Sequence, residues 1–348
     1  MEINFDDVPF GVDFHPSCNL VAASLISGNI EVYKYDEAEF SHTSRLLDIN
    51  AHNESCRAIS FIHDGDVIIS VSADQSILAT NVDTGSPIVR MDNAHEAAIF
   101  SLININESTI ATGDDEGCIK VWDTRQRSCC NTFNPHGDYV SGMTFASDSM
   151  KLVATSGDGT LSVCNLRSNK VQTRSEFSEE ELSSIATMKN GKKVVCGSLN
   201  GTLLLYSWGF FRDCSDRFTG LAPNGIDALL KLDEDRLIAG TENGLISLIN
   251  ILPNEVVRPL AEHSECPVER LAMSYDRKVL GSISHDQTLK LWDLEDLLQN
   301  SVQSPHIGND SDSDDCSNQM EVDTNPPKSK AGSKRRNGNL DNDFFADL

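Results

Sequence analysis

A short segment that recurs about every 42 residues, strand-rich composition inside each recurrence, and no helical periodicity predict an all-β fold. The expected architecture is a single seven-bladed β-propeller with a disordered C-terminal tail. The recurring segment is a small or acidic turn followed by a strand. It reads SGNIEVY at 27–33, DQSILAT at 74–80, EGCIKVW at 116–122 and DGTLSVC at 158–164. It continues as NGTLLLY at 200–206, NGLISLI at 243–249 and DQTLKLW at 286–292. The closing residues Tyr33, Thr80, Trp122, Cys164, Tyr206, Ile249 and Trp292 lie 47, 42, 42, 42, 43 and 43 residues apart.

About forty residues accommodate four strands and their turns, which is one propeller blade. The third repeat shows the count: Ile99–Ile103, Thr109–Thr112, Cys118–Trp122 and Cys129–Phe133 alternate with turn residues such as Asp114, Asp115 and Gly117. A blade is apolar on both faces and cannot bury that surface alone, so the array must close or be capped. Residues 1–300 are assigned to the propeller and 301–348 to the tail. The seventh repeat runs through LKLWDLED at 289–296 and then meets polar sequence, without a fourth strand of its own. A spare segment, Glu2 to Phe5, precedes the first strand of blade 1 at Val12–Phe14. It is expected to supply the missing strand and so remove two open sheet edges.

The charge balance restricts the function. With 53 acidic against 28 basic residues the chain carries a formal charge of −25, which repels phosphate backbones and weighs against general nucleic-acid binding. The start MEINFDDVPFGVDF lacks the basic and apolar regions of a secretory signal, and no run approaches a membrane span, so no membrane association is expected. The ten cysteines form no C-x-x-C pair. Cys118, Cys164 and Cys196, set in apolar strands, are expected to be small core residues in a reducing compartment. No metal site is expected either. His52, His95, His136 and His263 fall one per blade at the blade openings, which suits structural hydrogen bonding. Glycine-bearing turns such as Gly157-Asp158-Gly159 precede strands, so no helix N-terminus is available to hold a phosphate. No catalytic residue or cofactor motif is found, although abundant carboxylates leave an acid–base pair open.

These segments resemble the WD-repeat family. The likeness is closest where Ala94-His95 opens and Trp122-Asp123 closes blade 3, and where Glu262-His263 opens and Trp292-Asp293 closes blade 7. In that family the histidine, a turn aspartate and the strand tryptophan form a buried hydrogen-bond network. The resemblance places all three only in blade 7, as His263, Asp286 and Trp292, because Glu116 occupies the turn position of blade 3. Blades 1, 5 and 6 lack the histidine. The propeller together with the closing NDFFADL at 342–348 resembles the subfamily of WD repeat-containing protein 55, specifically its plant members. That resemblance implies a nuclear to nucleolar location, with some cytoplasmic presence. It also implies roles in ribosomal RNA production, or in development through cullin-4 ubiquitin ligases.

Arg125 stands out within Trp122-Asp123-Thr124-Arg125, a W-D-x-R box. The box resembles the signature of receptors that dock on the damaged-DNA-binding adaptor of cullin-4 ligases. Blade 4 repeats it in weakened form as Cys164-Asn165-Leu166-Arg167. Two arginines 42 residues apart, on consecutive blades, are expected on one rim, where each can form forked hydrogen bonds to an acidic or carbonyl-rich partner. Asp123 is expected to orient its turn. The alternative is a solvated arginine in a strand-connecting turn, pairing with Asp123 at little net gain. Glu179-Glu180-Glu181 reads as a solvated acidic loop, and Trp208, Phe210 and Phe211 as blade core, with an exposed patch as the alternative.

From about Ser301 the composition shifts to an acidic, serine-rich stretch and then a basic one. Ser311 and Ser313, each followed by acids, suit acidophilic kinases. Lys328, Lys330, Lys334, Arg335 and Arg336 fit a nuclear localisation signal. Phe344 and Phe345 are either a docking motif or a frayed end. The leading expectation is a non-catalytic nuclear scaffold that carries a client protein to a cullin-4 ligase. The rival is a nucleolar ribosome-assembly factor that binds pre-ribosomal proteins. A propeller enzyme is the remote third.

Overall fold

The computed structural model describes residues 1–36, 42–221 and 224–299, and in it the repeats form seven four-stranded antiparallel sheets. Blade 3 shows the plan: Ile99–Asn106, Thr109–Asp114, Ile119–Asp123 and Ser128–Phe133 pair in that order. Its second strand is almost wholly buried, whereas its fourth is largely exposed. The reason is position, since an inner strand is covered on both faces by neighbouring blades and an outermost strand meets water. Ile69, Val71 and Ile77 of blade 2 pack with Ile99, Ile110 and Trp122 of blade 3 in one such inter-blade layer. The approach is close enough to dictate glycine. A Cβ on Gly113 would lie 2.5 Å from Cβ of Val140 in the next blade.

Two sets of backbone hydrogen bonds repeat with the blades. On one face, the N–H two residues past the closing residue of each third strand donates to a carbonyl 16 residues earlier. The pairs are Tyr35 to Asn19, Val82 to Asp66, Thr124 to Ser108, Leu166 to Met150, Trp208 to Lys192, Ile251 to Asp235 and Leu294 to Lys278, at 2.7–3.1 Å. This turn face therefore carries the links between first and second and between third and fourth strands. The opposite, entry face carries the loops that lead into each blade. There Ala73, Asp115, Gly157 and Leu199 donate to Ser55, Ala98, Tyr139 and Glu181 at 2.9–3.1 Å.

Each first strand has a β-bulge at its second residue: Phe10, Arg57, Phe100, Ser141, Ser183, Asp227 and Glu269. A bulge turns its side chain out of the regular alternation. Here neighbouring blades meet through these side chains at the entry end of the central channel. The Arg57 guanidinium lies 5.5 Å from the Phe10 ring centre and 5.4 Å from that of Phe100.

Blade 7 consists of Val268–Met273, Val279–Ser284 and Thr288–Asp293, completed by Glu2–Asn4. Ile3 sits opposite Leu289 in an antiparallel register. The Met1 amino group donates to Leu291 O, and Leu291 N donates back to Met1 O, both at 2.8 Å. Two details differ from the sequence reading. Blade 1 begins at Pro9 rather than Val12. A short helix, Leu294–Gln299, follows blade 7, with Asp293 Oδ1 accepting from Asp296 N at 3.0 Å at its start. Six residues are too few to reveal a helical period in sequence.

Candidate partner-docking face

The histidines expected to be structural are buried and fully engaged. In blade 3, His95 Nδ1 lies 2.7 Å from Asp114 Oδ2 and its Nε2 lies 2.7 Å from Thr112 Oγ1. Trp122 Nε1 donates to the same Thr112 oxygen at 2.8 Å. A carboxylate only accepts and an indole N–H only donates, which orders the chain. Nδ1–H donates to Asp114, the Thr112 hydroxyl donates to Nε2, and Trp122 donates to Thr112. Blade 7 repeats this with Asp286, His263, Ser282 and Trp292 at 2.8–2.9 Å.

Blade 3 thus corrects the reading that only blade 7 holds the complete network. The carboxylate comes from Asp114, two residues before Glu116. Blades 2, 4 and 7 carry serine then aspartate at these two positions (Ser72 and Asp74, Ser156 and Asp158, Ser284 and Asp286), while blade 3 carries Asp114 and Glu116. From the earlier position Asp114 reaches the histidine with Oδ2, and its Oδ1 accepts from Glu116 N and Cys118 N at 3.1 and 2.8 Å.

Blades 2 and 4 use a variant. Without the tryptophan, His52 pairs with Ser70 and Ser76 at 2.8 and 3.0 Å, and His136 with Ser162 and Thr160 at 2.8 and 3.0 Å. An arginine from the outer strand then meets the turn carboxylate: Arg90 to Asp74 and Arg174 to Asp158, each at 2.7 Å. Burial disfavours protonation of His52 and His263 and pulls both below the usual histidine value. The sign of the pH dependence follows. Above about pH 6.5 these residues are neutral both folded and unfolded. Below it the unfolded chain binds protons that the fold resists, so stability falls with acidification. The thermal midpoint is therefore expected to drop between about pH 6.5 and 5, and His263→Asn should flatten that slope in a pH series of melting curves.

The cysteines expected in the core divide. Cys164 and Cys196 are buried, and burial pushes the Cys164 thiol up to about 12. Cys118 is half-buried beside Asp114, with its thiol pushed up to about 11 mainly by desolvation. The nine described cysteines are all free. His95, Asp114 and Cys118 cluster closely enough to suggest a cation site, but the hydrogen bonds above already use both Asp114 oxygens and both His95 nitrogens. The aromatic run of blade 5 divides too: Phe211 is buried, Trp208 packs against it at 5.2 Å between ring centres, and Phe210 is 78% exposed.

On the turn face the two arginine boxes share one geometry. Asp123 Oδ1 accepts from Arg125 N and Gln126 N at 2.9 and 2.8 Å, which closes a tight turn. Asn165 Oδ1 accepts from Arg167 N and Ser168 N, both at 3.0 Å. The amide oxygen of Asn165 does the same work as the carboxylate, so the substitution leaves the turn intact. Arg125, Arg127 and Arg167 are exposed, and among the described residues no carboxylate lies within ion-pair distance of any of them. Arg45, Arg90, Arg174, Arg212, Arg217 and Arg236 do have acid partners, and Arg57, which has none among the described residues, is instead enclosed by the Phe10 and Phe100 rings.

The entry face has the opposite character. Asp227, Glu242 and Glu269 crowd one side of the channel mouth, and desolvation followed by repulsion from Glu269 and Glu242 raises Asp227 to about 6. His285 Nε2 lies 3.1 Å from Glu269 Oε2. Ser311, Ser313, Lys328, Lys330, Lys334, Arg335, Arg336, Phe344 and Phe345 lie outside the described residues.

Seven four-stranded blades, closed by the N-terminal strand and pinned by His–Asp–Trp networks, define a WD-repeat β-propeller, a class of protein-interaction scaffold. The WDR55 family profile matches residues 1–297. WD repeat-containing protein 55 of Arabidopsis thaliana is 62% identical over 301 residues, which cover 86% of this chain and 84% of that protein. Its Bos taurus counterpart is 39% identical over 82% of this chain and 75% of its own length. WD repeat-containing protein JIP5 of Cryptococcus neoformans is 39% identical over 84% of this chain and 81% of its own length. The chain belongs to the WDR55 family. Among the described residues no helix is long and apolar enough to cross a membrane.

Proposed function

We propose that this protein is a non-catalytic nuclear scaffold that docks through its turn face, at blades 3 and 4, onto the adaptor of a cullin-4 ubiquitin ligase. One observation carries the reading. Arg125 and Arg167, held on equivalent turns, are exposed and unpaired in a chain of net charge −25. An arginine left without an internal acid is free to bind an external one, and a shielded contact of this kind contributes about 1.5–3 kcal/mol. The entry face remains open for a client. Recovery of the adaptor by Arg125→Ala/Arg167→Ala is expected to fall at least tenfold in a pull-down, with an unchanged melting curve. Undiminished recovery would overturn the docking assignment.

A second reading draws on the acidic channel mouth formed by Asp227, Glu242 and Glu269, which suits a basic client such as a pre-ribosomal protein. Proximity labelling in cells separates the two. Labelling of pre-ribosomal proteins that persists unchanged in the double arginine variant favours the second.

A further inference from the structure

The position two residues past the close of each third strand is apolar in six blades: Tyr35, Val82, Leu166, Trp208, Ile251 and Leu294. All six join the hydrophobic clusters of the ring. In blade 3 the residue is Thr124, and its buried hydroxyl has no hydrogen-bond partner. Beside it lies an apolar cleft of about 140 Å³ between blades 2 and 3. Ile69, Ile77, Ile110 and Trp122 form its walls, and the exposed Ile88 and Arg127 lie at its rim. A cavity of roughly 150 Å³ lined by apolar side chains takes up a benzene-sized ring.

The fold itself shows what such a cleft holds. Two blades further on, Val163, Val194 and Tyr206 stand where Ala79, Ile110 and Trp122 stand here. There Phe211, the counterpart of Arg127, is packed with them in one cluster. After blade 7 the same place is taken by Leu294 and Leu297 of the short helix. At the second filling position blades 2, 4 and 6 carry Gly85, Asn169 and Asn254 and rely on the first filler alone, whereas blade 3, with Thr124 and Arg127, has an apolar residue at neither, so its cleft stays open. The rim carries Arg127, and Arg125 follows Thr124 on the same turn; neither has an acid partner among the described residues.

We infer that this cleft is the receptor for an aromatic side chain of a partner protein, presented on a segment with flanking acidic residues. The inference deepens the reading of the turn face as a docking face and rests on it. The ring replaces an internal filler that blade 3 lacks, and the acids meet Arg125 and Arg127. Thr124 keeps the cleft wide enough, and its idle hydroxyl is the cost of leaving it unfilled.

The test uses the full chain with isotope-labelled isoleucine methyl groups and the peptide acetyl-Asp-Glu-Phe-Glu-Asp-amide. Shifts are expected at Ile69, Ile77, Ile88 and Ile110, and the same peptide with alanine for phenylalanine should give none of them. Thr124→Leu fills the cleft as the other blades do and should weaken the peptide at least tenfold while raising the melting midpoint. Thr124→Val removes only the idle hydroxyl and should bind as well as the parent, which controls for folding. Arg125→Ala should weaken the peptide and steepen nothing in the methyl pattern. Absent shifts, equal shifts with the alanine peptide, or undiminished binding to a folded Thr124→Leu variant would each overturn the inference. A peptide that binds the cleft while adaptor recovery survives loss of both arginines would instead sink the docking partner and spare the cleft.

Discussion

A variant lacking residues 1–8 is expected to lose most of its folding stability. The deletion removes Ile3 and Phe5, both buried, from the layer that joins blade 7 to blade 1, where Phe5 meets Tyr33 edge-on at 6.0 Å. Burying each such side chain is worth about 1.5–3 kcal/mol. The exchanged bonds between Met1 and Leu291, and the bond from Phe5 N to Gln287 O at 2.9 Å, are lost as well. Each contributes about 1 kcal/mol net. The loss is on the order of 5 kcal/mol or more, which is comparable with the whole stability of many domains. It also leaves the strand Thr288–Asp293 as an open edge, so aggregation on heating should accompany the lower midpoint. Calorimetry of the truncated chain checks this. An unchanged midpoint would mean that the N-terminal strand does not close the ring.

The second large effect is expected at Asp114. Asp114→Ala leaves His95 Nδ1 and two backbone N–H groups, those of Glu116 and Cys118, without their acceptor. The buried His95 donor stranded this way costs about 1–3 kcal/mol, and each of the two part-buried backbone bonds contributes about 1 kcal/mol. The substitution should therefore destabilise by roughly 3–5 kcal/mol. Glu116→Gln alters an exposed turn side chain for which no bond in the network is at stake, and should stay within about 0.5 kcal/mol. Urea titration of the pair distinguishes them. Equal effects, or a larger effect from Glu116, would return the network carboxylate to the position that sequence spacing suggested.

That contrast shows where sequence was and was not enough. The blade number was legible because every turn-plus-strand segment repeats in register, and inter-blade packing forces that register. Glu116 was misread as the network position because spacing alone treats equivalent turn positions as interchangeable. Blade 3 instead exchanges the roles of two neighbouring positions, and only the hydrogen-bond geometry of Asp114 reveals it. The signal was present: Asp114 is an aspartate where blades 2, 4 and 7 have serine. The helix Leu294–Gln299 was missed because the run LEDLLQ is shorter than two turns. The arginine boxes were visible as a motif, but their lack of internal acid partners was not, because some arginines are neutralised from distant points, as Arg217 is by Glu180 and Arg174 by Asp158. Within Trp122-Asp123-Thr124-Arg125 nothing in the local sequence distinguishes Thr124 from an ordinary turn residue. Its meaning appears only when the same position is compared across all seven blades.

The joining of Met1 to Leu291, 290 residues away, has a consequence for synthesis. Translation proceeds at about 5–20 residues per second, so the first strand leaves the ribosome roughly 15–60 s before its pairing partner. During that interval blades 1 to 6 can stack progressively, but the chain remains an unclosed arc with a sticky strip at each end. A nascent-chain chaperone, or a partner already seated on the early blades, has that window in which to act, and the final zip occurs only once the last repeat emerges.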